Sequence, residues 1–172
     1  MLMDRVIGVF RLDPNTFETV EHDPAATSQA VLVVAIVAIL AGFGSAFGAL
    51  FTESNFFTSF IGALGWTFIG WFLWAIVSLF VGTALFGGKA DLNEMLRVIG
   101  FAYAPQMLAI IPCIGGLIGA IWSLIAGFIA IRQGLDLDNV RALLTVVVGF
   151  GVYVIGYVVL AIVLSGFGAL FR

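Results

Sequence analysis

The sequence predicts an all-α membrane protein, a five-transmembrane-helix bundle that follows a short amphipathic segment at the membrane interface. The first observation is composition, since 62% of the 172 residues are apolar and 10% are charged. Soluble domains average about 45–50% apolar and roughly 25% charged residues. The second is a series of apolar runs of about 20 residues, the length that crosses a bilayer core. The third is an uneven distribution of basic residues. Together these observations exclude a soluble monomer and a disordered chain.

Five apolar runs are separated by short polar connections. They cover residues 30–51, 60–86, 95–111, 114–131 and 142–171. The runs are continuously apolar rather than alternating, which favours helices, because a helix satisfies its backbone hydrogen bonds within the segment. The third run contains Pro105, which removes one intrahelical hydrogen bond and is expected to kink the helix.

The basic residues predict the orientation of the chain. With five spans and a cytoplasmic N-terminus, six of the seven basic residues lie on the cytoplasmic side and only Arg172 lies outside, as the positive-inside rule requires. The six are Arg5, Arg11, Lys89, Arg97, Arg132 and Arg141. An even number of spans would scatter these charges across both faces, so the C-terminus is predicted to lie outside.

Residues 1–24 form the predicted interfacial segment, and residues 25–172 form the membrane domain. Around residues 6–10, apolar side chains share one arc of a helical wheel and charged ones lie opposite, a pattern typical of a helix in the headgroup region. The pair Asp13-Pro14 predicts a second short helix that reaches about residue 22, because Asp suits the cap and Pro the first helical position. The pair Asp23-Pro24 predicts the start of the first span in the same way.

Three further helix boundaries are marked in the sequence. Gly87-Gly88 is expected to end the second span. Asp91 and Glu94 have the spacing of a capping box at the start of the third. Asp138 is the predicted cap of the fifth.

Polar residues within the third run are the candidate site, because burying polar groups in a membrane is costly. The candidate pocket comprises Glu94, Arg97, Tyr103, Pro105 and Gln106. Glu94 and Arg97 are spaced for an ion pair. The alternatives for Arg97 are an anchor in the headgroup layer and contact with a ligand or lipid phosphate. A kink at Pro105 can open a polar pocket at membrane depth, whereas the alternative for Gln106 is a single helix–helix hydrogen bond.

Small residues recur every four positions in the fourth run and predict a face where another helix approaches closely. This face consists of Gly115, Gly119, Ser123 and Gly127. Shorter stripes occur in the first run at Gly44 and Gly48, and in the fifth at Ala161, Ser165 and Ala169. The sequence leaves open whether they pack within one chain or in a homo-oligomer. Membrane serines and threonines, such as Thr67, Ser78, Thr83, Ser123 and Thr145, are expected to bond to their own helix backbone.

Several kinds of chemistry are disfavoured by what the sequence lacks. His22 is the only histidine, so neither a Ser-His dyad nor a His-rich metal or haem site is expected. Asp136, Asp138 and Asn139 lack the downstream glycine and glutamate of a calcium loop. Cys113 is the only cysteine and is interpreted as a buried, inert thiol. We therefore expect no catalytic residue, cofactor or metal, and the absence of a basic block argues against nucleic acid as a partner.

Several short motifs resemble one family. They are Gly87-Gly88-Lys89-Ala90, the run from Asn93 through Gly100-Phe101-Ala102-Tyr103-Ala104 to Pro105, Trp122-Ser123-Leu124, Gln133-Gly134-Leu135 and Arg141-Ala142-Leu143. With Asp13-Pro14, Thr16-Phe17 and Val20 ahead of them, they are similar to the Yip1-domain family in its prokaryotic branch, over about residues 13–170. The resemblance implies an integral protein without known catalysis, in the prokaryotic plasma membrane. The acidic-Leu-Tyr-Gly-Pro motif of GTPase-binding eukaryotic relatives is absent, so that role is not carried over.

Two functions follow as hypotheses. The first is a non-enzymatic scaffold or adaptor in membrane organisation or trafficking-like processes, with the lipid bilayer and a second copy or another membrane protein as its partners. The alternative is a small membrane transporter, channel or lipid scramblase whose polar site surrounds Pro105.

Overall fold

A computed structural model describes residues 1–52, 54–110 and 114–170; for residues 157, 160, 161 and 163–170 only the helical backbone is described. The described residues are helical with short connections and contain no strand. The helices are α1 Leu2–Phe10, α2 Pro14–Glu21, α3 Ala26–Ala49, α4 Phe56–Phe86, α5 Leu92–Ala102, a 3-10 helix η1 Ala104–Ile110, α6 Gly115–Gly134 and α7 Asn139–Leu170. Four of them, α3, α4, α6 and the first part of α7, are long and apolar enough to cross a membrane.

The predicted helix boundaries are confirmed except at the first span, where α3 begins at Ala26 with Ala25 at the N-cap position rather than Asp23. The Asp13 carboxylate accepts from the backbone N–H of Asn15 at the start of α2. Asp91 and Glu94 form the full capping box of α5. Asp138 accepts from the N–H groups of residues 140 and 141 at the start of α7. At the end of α4, Gly87 takes the left-handed conformation, with φ of 72°, that glycine adopts without steric cost.

One prediction of helix structure is wrong: the third run, 95–111, is not a continuous α-helix. α5 ends at Ala102 and η1 follows. Pro105 has no N–H to donate to the carbonyl of Phe101, and its ring disfavours α-helical backbone at Ala104. The chain continues with tighter turns, in which the N–H of Gln106 donates to the carbonyl of Tyr103 at 2.9 Å. α5 and η1 therefore meet at a break rather than a kink.

The charged residues gather at one end of the bundle. There the N–H of Lys89, in the α4–α5 connection, donates to the carbonyl of Leu135, in the α6–α7 connection, at 3.0 Å. The amide of Gln133 donates to Glu18 of α2 at 3.0 Å. Of the 17 charged side chains, 15 lie on α1 and α2, in these two connections, or within two helical turns of them. The other two, Glu53 and Arg172, lie outside the described residues. We call this the charged end.

Part of the core lies where α3, α4 and α5 converge. A side chain at Gly100 would begin 2.9 Å from the Cβ of Ala30 on α3 and 3.2 Å from the indole nitrogen of Trp71 on α4. The indole N–H of Trp71 donates to the carbonyl of Leu96 at 3.1 Å. The close approach requires glycine at residue 100, and it holds the start of the interrupted segment against two long helices.

Candidate functional site

A lateral cavity of about 540 Å³ lies among α4, the α5–η1 break, α6 and α7. Its volume is within the range of small-molecule sites, about 300–1,000 Å³. Fourteen residues line it, and none is charged. They are Trp74, Ile99, Ala102, Tyr103, Gln106, Ala120, Ser123, Leu124, Gly127, Phe128, Val146, Val147, Phe150 and Tyr153.

The predicted pocket residues separate into two places. Tyr103 and Gln106 line the lateral cavity, together with Ser123 and Gly127 from the predicted α6 face. Glu94 and Arg97 lie towards the charged end, where the Glu94 carboxylate accepts from the backbone N–H of Asp91 at 2.6 Å. Pro105 is buried but does not line the cavity. The break at Pro105 thus brings only part of the predicted set to the cavity.

Two of the polar groups of the cavity, the tyrosine hydroxyls, lie close together beside α4. The hydroxyls of Tyr103 and Tyr153 lie 3.7 and 3.4 Å from the position where a side chain at Gly70 of α4 would begin. The Tyr153 ring packs edge-to-face on Trp74, with centroids 5.9 Å apart. Sequence reasoning missed Trp74 and Tyr153, because two aromatic residues 79 positions apart in apolar runs carry no local pattern that links them.

Ser123 differs from the threonines of the membrane helices. Thr67, Thr83 and Thr145 donate to the carbonyl four residues earlier, at 2.7–2.9 Å, which confirms the expectation for them. The hydroxyl of Ser123 is buried and has no hydrogen-bond partner among the described residues, so the same expectation is wrong for Ser123. Ser78, away from the cavity, is also without a partner there. Ser123 therefore lines the lateral cavity while its own hydroxyl stays buried and unsatisfied.

The predicted packing face of α6 serves two purposes. A Cβ at Gly119 would lie 2.8 Å from the carbonyl oxygen of Pro105, so α6 and η1 touch there through their backbones. Gly115 is buried. At Gly127 a Cβ would meet nothing within 4 Å, because the lateral cavity lies beside it.

The shorter stripes are placed differently. A Cβ at Gly44 or Gly48 of α3 would meet nothing within 4 Å, so none of the described residues packs closely on them. The side chains of Ala161, Ser165 and Ala169 lie outside the described residues, as does Cys113.

Arg97 holds the N-terminal helices on the bundle. Its guanidinium donates to the backbone carbonyl of Glu21 from Nε at 3.1 Å and from Nη2 at 2.5 Å. The predicted ion pair with Glu94 is not formed. Two more bonds act in the same way: Arg5 donates to the side-chain oxygen of Gln29 on α3 at 3.0 Å, and the indole N–H of Trp122 on α6 donates to the carbonyl of Phe10 at 3.0 Å. α1 and α2 are therefore fixed to the membrane domain.

The Glu21 carboxyl group, next to the carbonyl that Arg97 contacts, lies near other acidic side chains. One of its oxygens is buried without a partner among the described residues. Burial raises the pKa of Glu21 from 4.5 to about 7, and His22 opposes the shift while Asp136, Glu18 and Glu94 add to it. Within the described residues, no group of three or more His, Cys, Asp or Glu side chains is placed to hold a metal ion.

The fold and the apolar helices define the class of this chain, an integral membrane protein built as a helical bundle. The family model for the Yip1 domain matches residues 7–171. The chain therefore belongs to the Yip1 family, as its motifs predicted. No curated protein and no solved structure gives a significant match.

Proposed function

We propose that this chain is a non-enzymatic membrane adaptor of the prokaryotic plasma membrane, which presents its charged end to a water-soluble partner. The observation that carries the proposal is the segregation of charge: 15 of the 17 charged side chains gather there. The end is built from fixed parts, because Arg97, Trp122 and Gln133 hold α1 and α2 by hydrogen bonds.

The charge balance indicates the kind of partner. Nine of the ten acidic residues but only six basic ones belong to the charged end. A net negative surface favours a partner with a basic face, through electrostatic complementarity that salt screens.

We also propose that the chain crosses the membrane five times, with both connections of the charged end in the cytoplasm. α5 begins and α6 ends at that end. α6 has 20 residues and is about 30 Å long. The chain from the start of α5 to the start of α6 therefore has that distance to cover. α5 and η1 together reach about 30 Å if aligned, which suffices for one crossing.

The adaptor role is tested by purifying the protein in native nanodiscs and measuring bound proteins by mass spectrometry. We expect a stoichiometric partner whose retention falls as salt rises from about 0.05 to 0.5 M. Glu18→Lys, which reverses a charge on the exposed face of α2, should release it. Ser54→Lys, at the opposite end, should retain it. A partner held equally by both variants, or no partner after cross-linking in native membranes, would contradict the proposal.

A second candidate function is transport of a solute or lipid, as a small transporter, channel or scramblase. The lateral cavity beside the break at Pro105 favours it. Flux into proteoliposomes should then fall in Gln106→Leu, and equal flux in both proteins would count against this candidate.

A further inference from the structure

The lateral cavity differs from a simple packing defect in having a mouth towards the membrane. Three of its lining residues are more than half exposed: Leu124 on α6 at 60%, and Val147 and Phe150 on α7 at 59% and 57%. They mark an opening between α6 and α7, helices that the bilayer surrounds. A molecule already dissolved in the membrane can therefore enter without passing through water.

The depth of the cavity restricts the charge of its occupant. Ser123 lies 11 residues before the end of α6 at Gly134, about 16 Å along the helix from the charged end. A charged phosphate at that depth would be costly unless paired. None of the fourteen lining residues carries a charge that would pair with it.

The polar groups of the wall restrict its chemistry further. They are two phenols, an amide and the hydroxyl of Ser123, which is buried without a partner among the described residues and reaches an occupant by rotation of the serine side chain. Each can bond to an uncharged hydroxyl or ester carbonyl. The remaining wall is aliphatic or aromatic and suits an acyl chain.

From the mouth, the depth and the lining of the lateral cavity, we propose that it binds a neutral lipid. The acyl chain lies along α6 and α7, and an uncharged hydroxyl or ester group lies beside Ser123, Gln106 and Tyr103. Diacylglycerol has this chemistry. The proposal is independent of the adaptor role, because it concerns the membrane-embedded side of the bundle.

The test uses the full chain in phosphatidylcholine nanodiscs with a diacylglycerol that carries a diazirine in one acyl chain. Phosphatidylglycerol with the same diazirine chain is the charged comparison. After illumination, mass spectrometry locates and quantifies the labelled peptides. We expect diacylglycerol to label α6 and α7 around residues 120–128 and 146–153 at least fivefold more than phosphatidylglycerol.

Two substitutions on the same helix provide a matched pair. Gly127→Leu fills the cavity, since a Cβ there meets nothing within 4 Å. Gly116→Leu adds the same side chain at an equally open position that does not line the cavity. Labelling by diacylglycerol should fall at least fivefold in Gly127→Leu and remain unchanged in Gly116→Leu. Ser123→Ala should lower it about fivefold, the effect of one hydrogen bond.

Size-exclusion chromatography and circular dichroism establish that each variant folds. If Gly127→Leu does not fold, Ala120→Phe fills the same cavity, and Ser123→Ala removes atoms without adding any. Equal or greater labelling by phosphatidylglycerol would overturn the assignment of an uncharged head group. Unchanged labelling in the folded cavity-filling variants would overturn the site itself.

Discussion

Glu21 and Arg97 occupy neighbouring positions at the charged end but do not form a side-chain ion pair. The Arg97 guanidinium bonds to the backbone carbonyl of Glu21, not to its carboxylate. Burial and three nearby acids raise the pKa of that carboxylate to about 7. Docking of α2 therefore favours the protonated form of Glu21, and docking must respond to pH.

At the residue scale, we predict that α2 docks less tightly as pH rises from 4.5 to about 7. A pKa raised in the docked state means that the docked state binds the proton more tightly, so stability present below pH 4.5 is lost as pH passes through about 7. The loss should be about 1–3 kcal/mol. Hydrogen exchange of the α2 amides, corrected for intrinsic rates, measures it.

Glu21→Gln should remove this dependence and protect α2 more than the parent protein above pH 7. Glu18→Gln removes one of the three nearby acids but not the burial that is the main cause, so it should retain most of the dependence. If Glu21→Gln keeps the pH dependence of the parent protein, another group is responsible for it.

At the scale of elements, the α5–η1 break depends on α6. Pro105 explains why α5 stops. The turn that follows, η1, packs against α6 at Gly119, where the two elements meet through backbone atoms. The glycine face of α6 therefore packs against η1 of the same chain at Gly119. Two turns further along the same face, Gly127 lines the lateral cavity.

We predict opposite effects of the same substitution at two glycines of α6. Gly119→Ala places a methyl group 2.8 Å from the carbonyl oxygen of Pro105 and should destabilise the protein by about 1–3 kcal/mol. Gly116→Ala meets nothing within 4 Å and should be neutral or stabilising by up to about 1 kcal/mol. Thermal unfolding in detergent compares the two. Equal melting temperatures would show that η1 does not pack on α6 at this position.

At the scale of the whole molecule, a contact between two connections shows which helix ends lie on the same side of the bundle. Lys89 and Leu135 are bonded through their backbones although 46 residues separate them. Four long helices alone would allow an even number of crossings, whereas this contact places the end of α6 beside the end of α4. In the five-crossing topology that we propose, the interrupted segment between them is the fifth crossing.

We predict that cysteines at Lys89 and Asp136 are labelled from the same side of the membrane, and a cysteine at Ser54 from the other side. The measurement uses an impermeant maleimide on intact cells and on inverted vesicles, in a Cys113→Ser background. Ser54→Cys should react in intact cells, and the other two only in inverted vesicles. Labelling of Asp136→Cys together with Ser54→Cys would indicate four crossings.

Much of the local structure was predictable because its causes are local. Asp91 and Glu94 meet across one turn, and Gly87 adopts its own backbone conformation, so neighbours in sequence suffice to predict both. The candidate site was predicted in part. Tyr103 and Gln106 lie beside the proline whose effect was anticipated, but Trp74 and Tyr153 reach the cavity from other helices.

The sequence by itself determined the membrane class, the family, most helix boundaries and the clustering of charge, since each follows from composition, short motifs or capping within a turn. Only the tertiary structure decided that Arg97 bonds to the Glu21 carbonyl rather than to Glu94, that Ser123 lacks a backbone partner, and that a cavity opens between α6 and α7. These features depend on contacts between residues far apart in the chain. Such contacts are set by how whole helices pack, which no local pattern encodes.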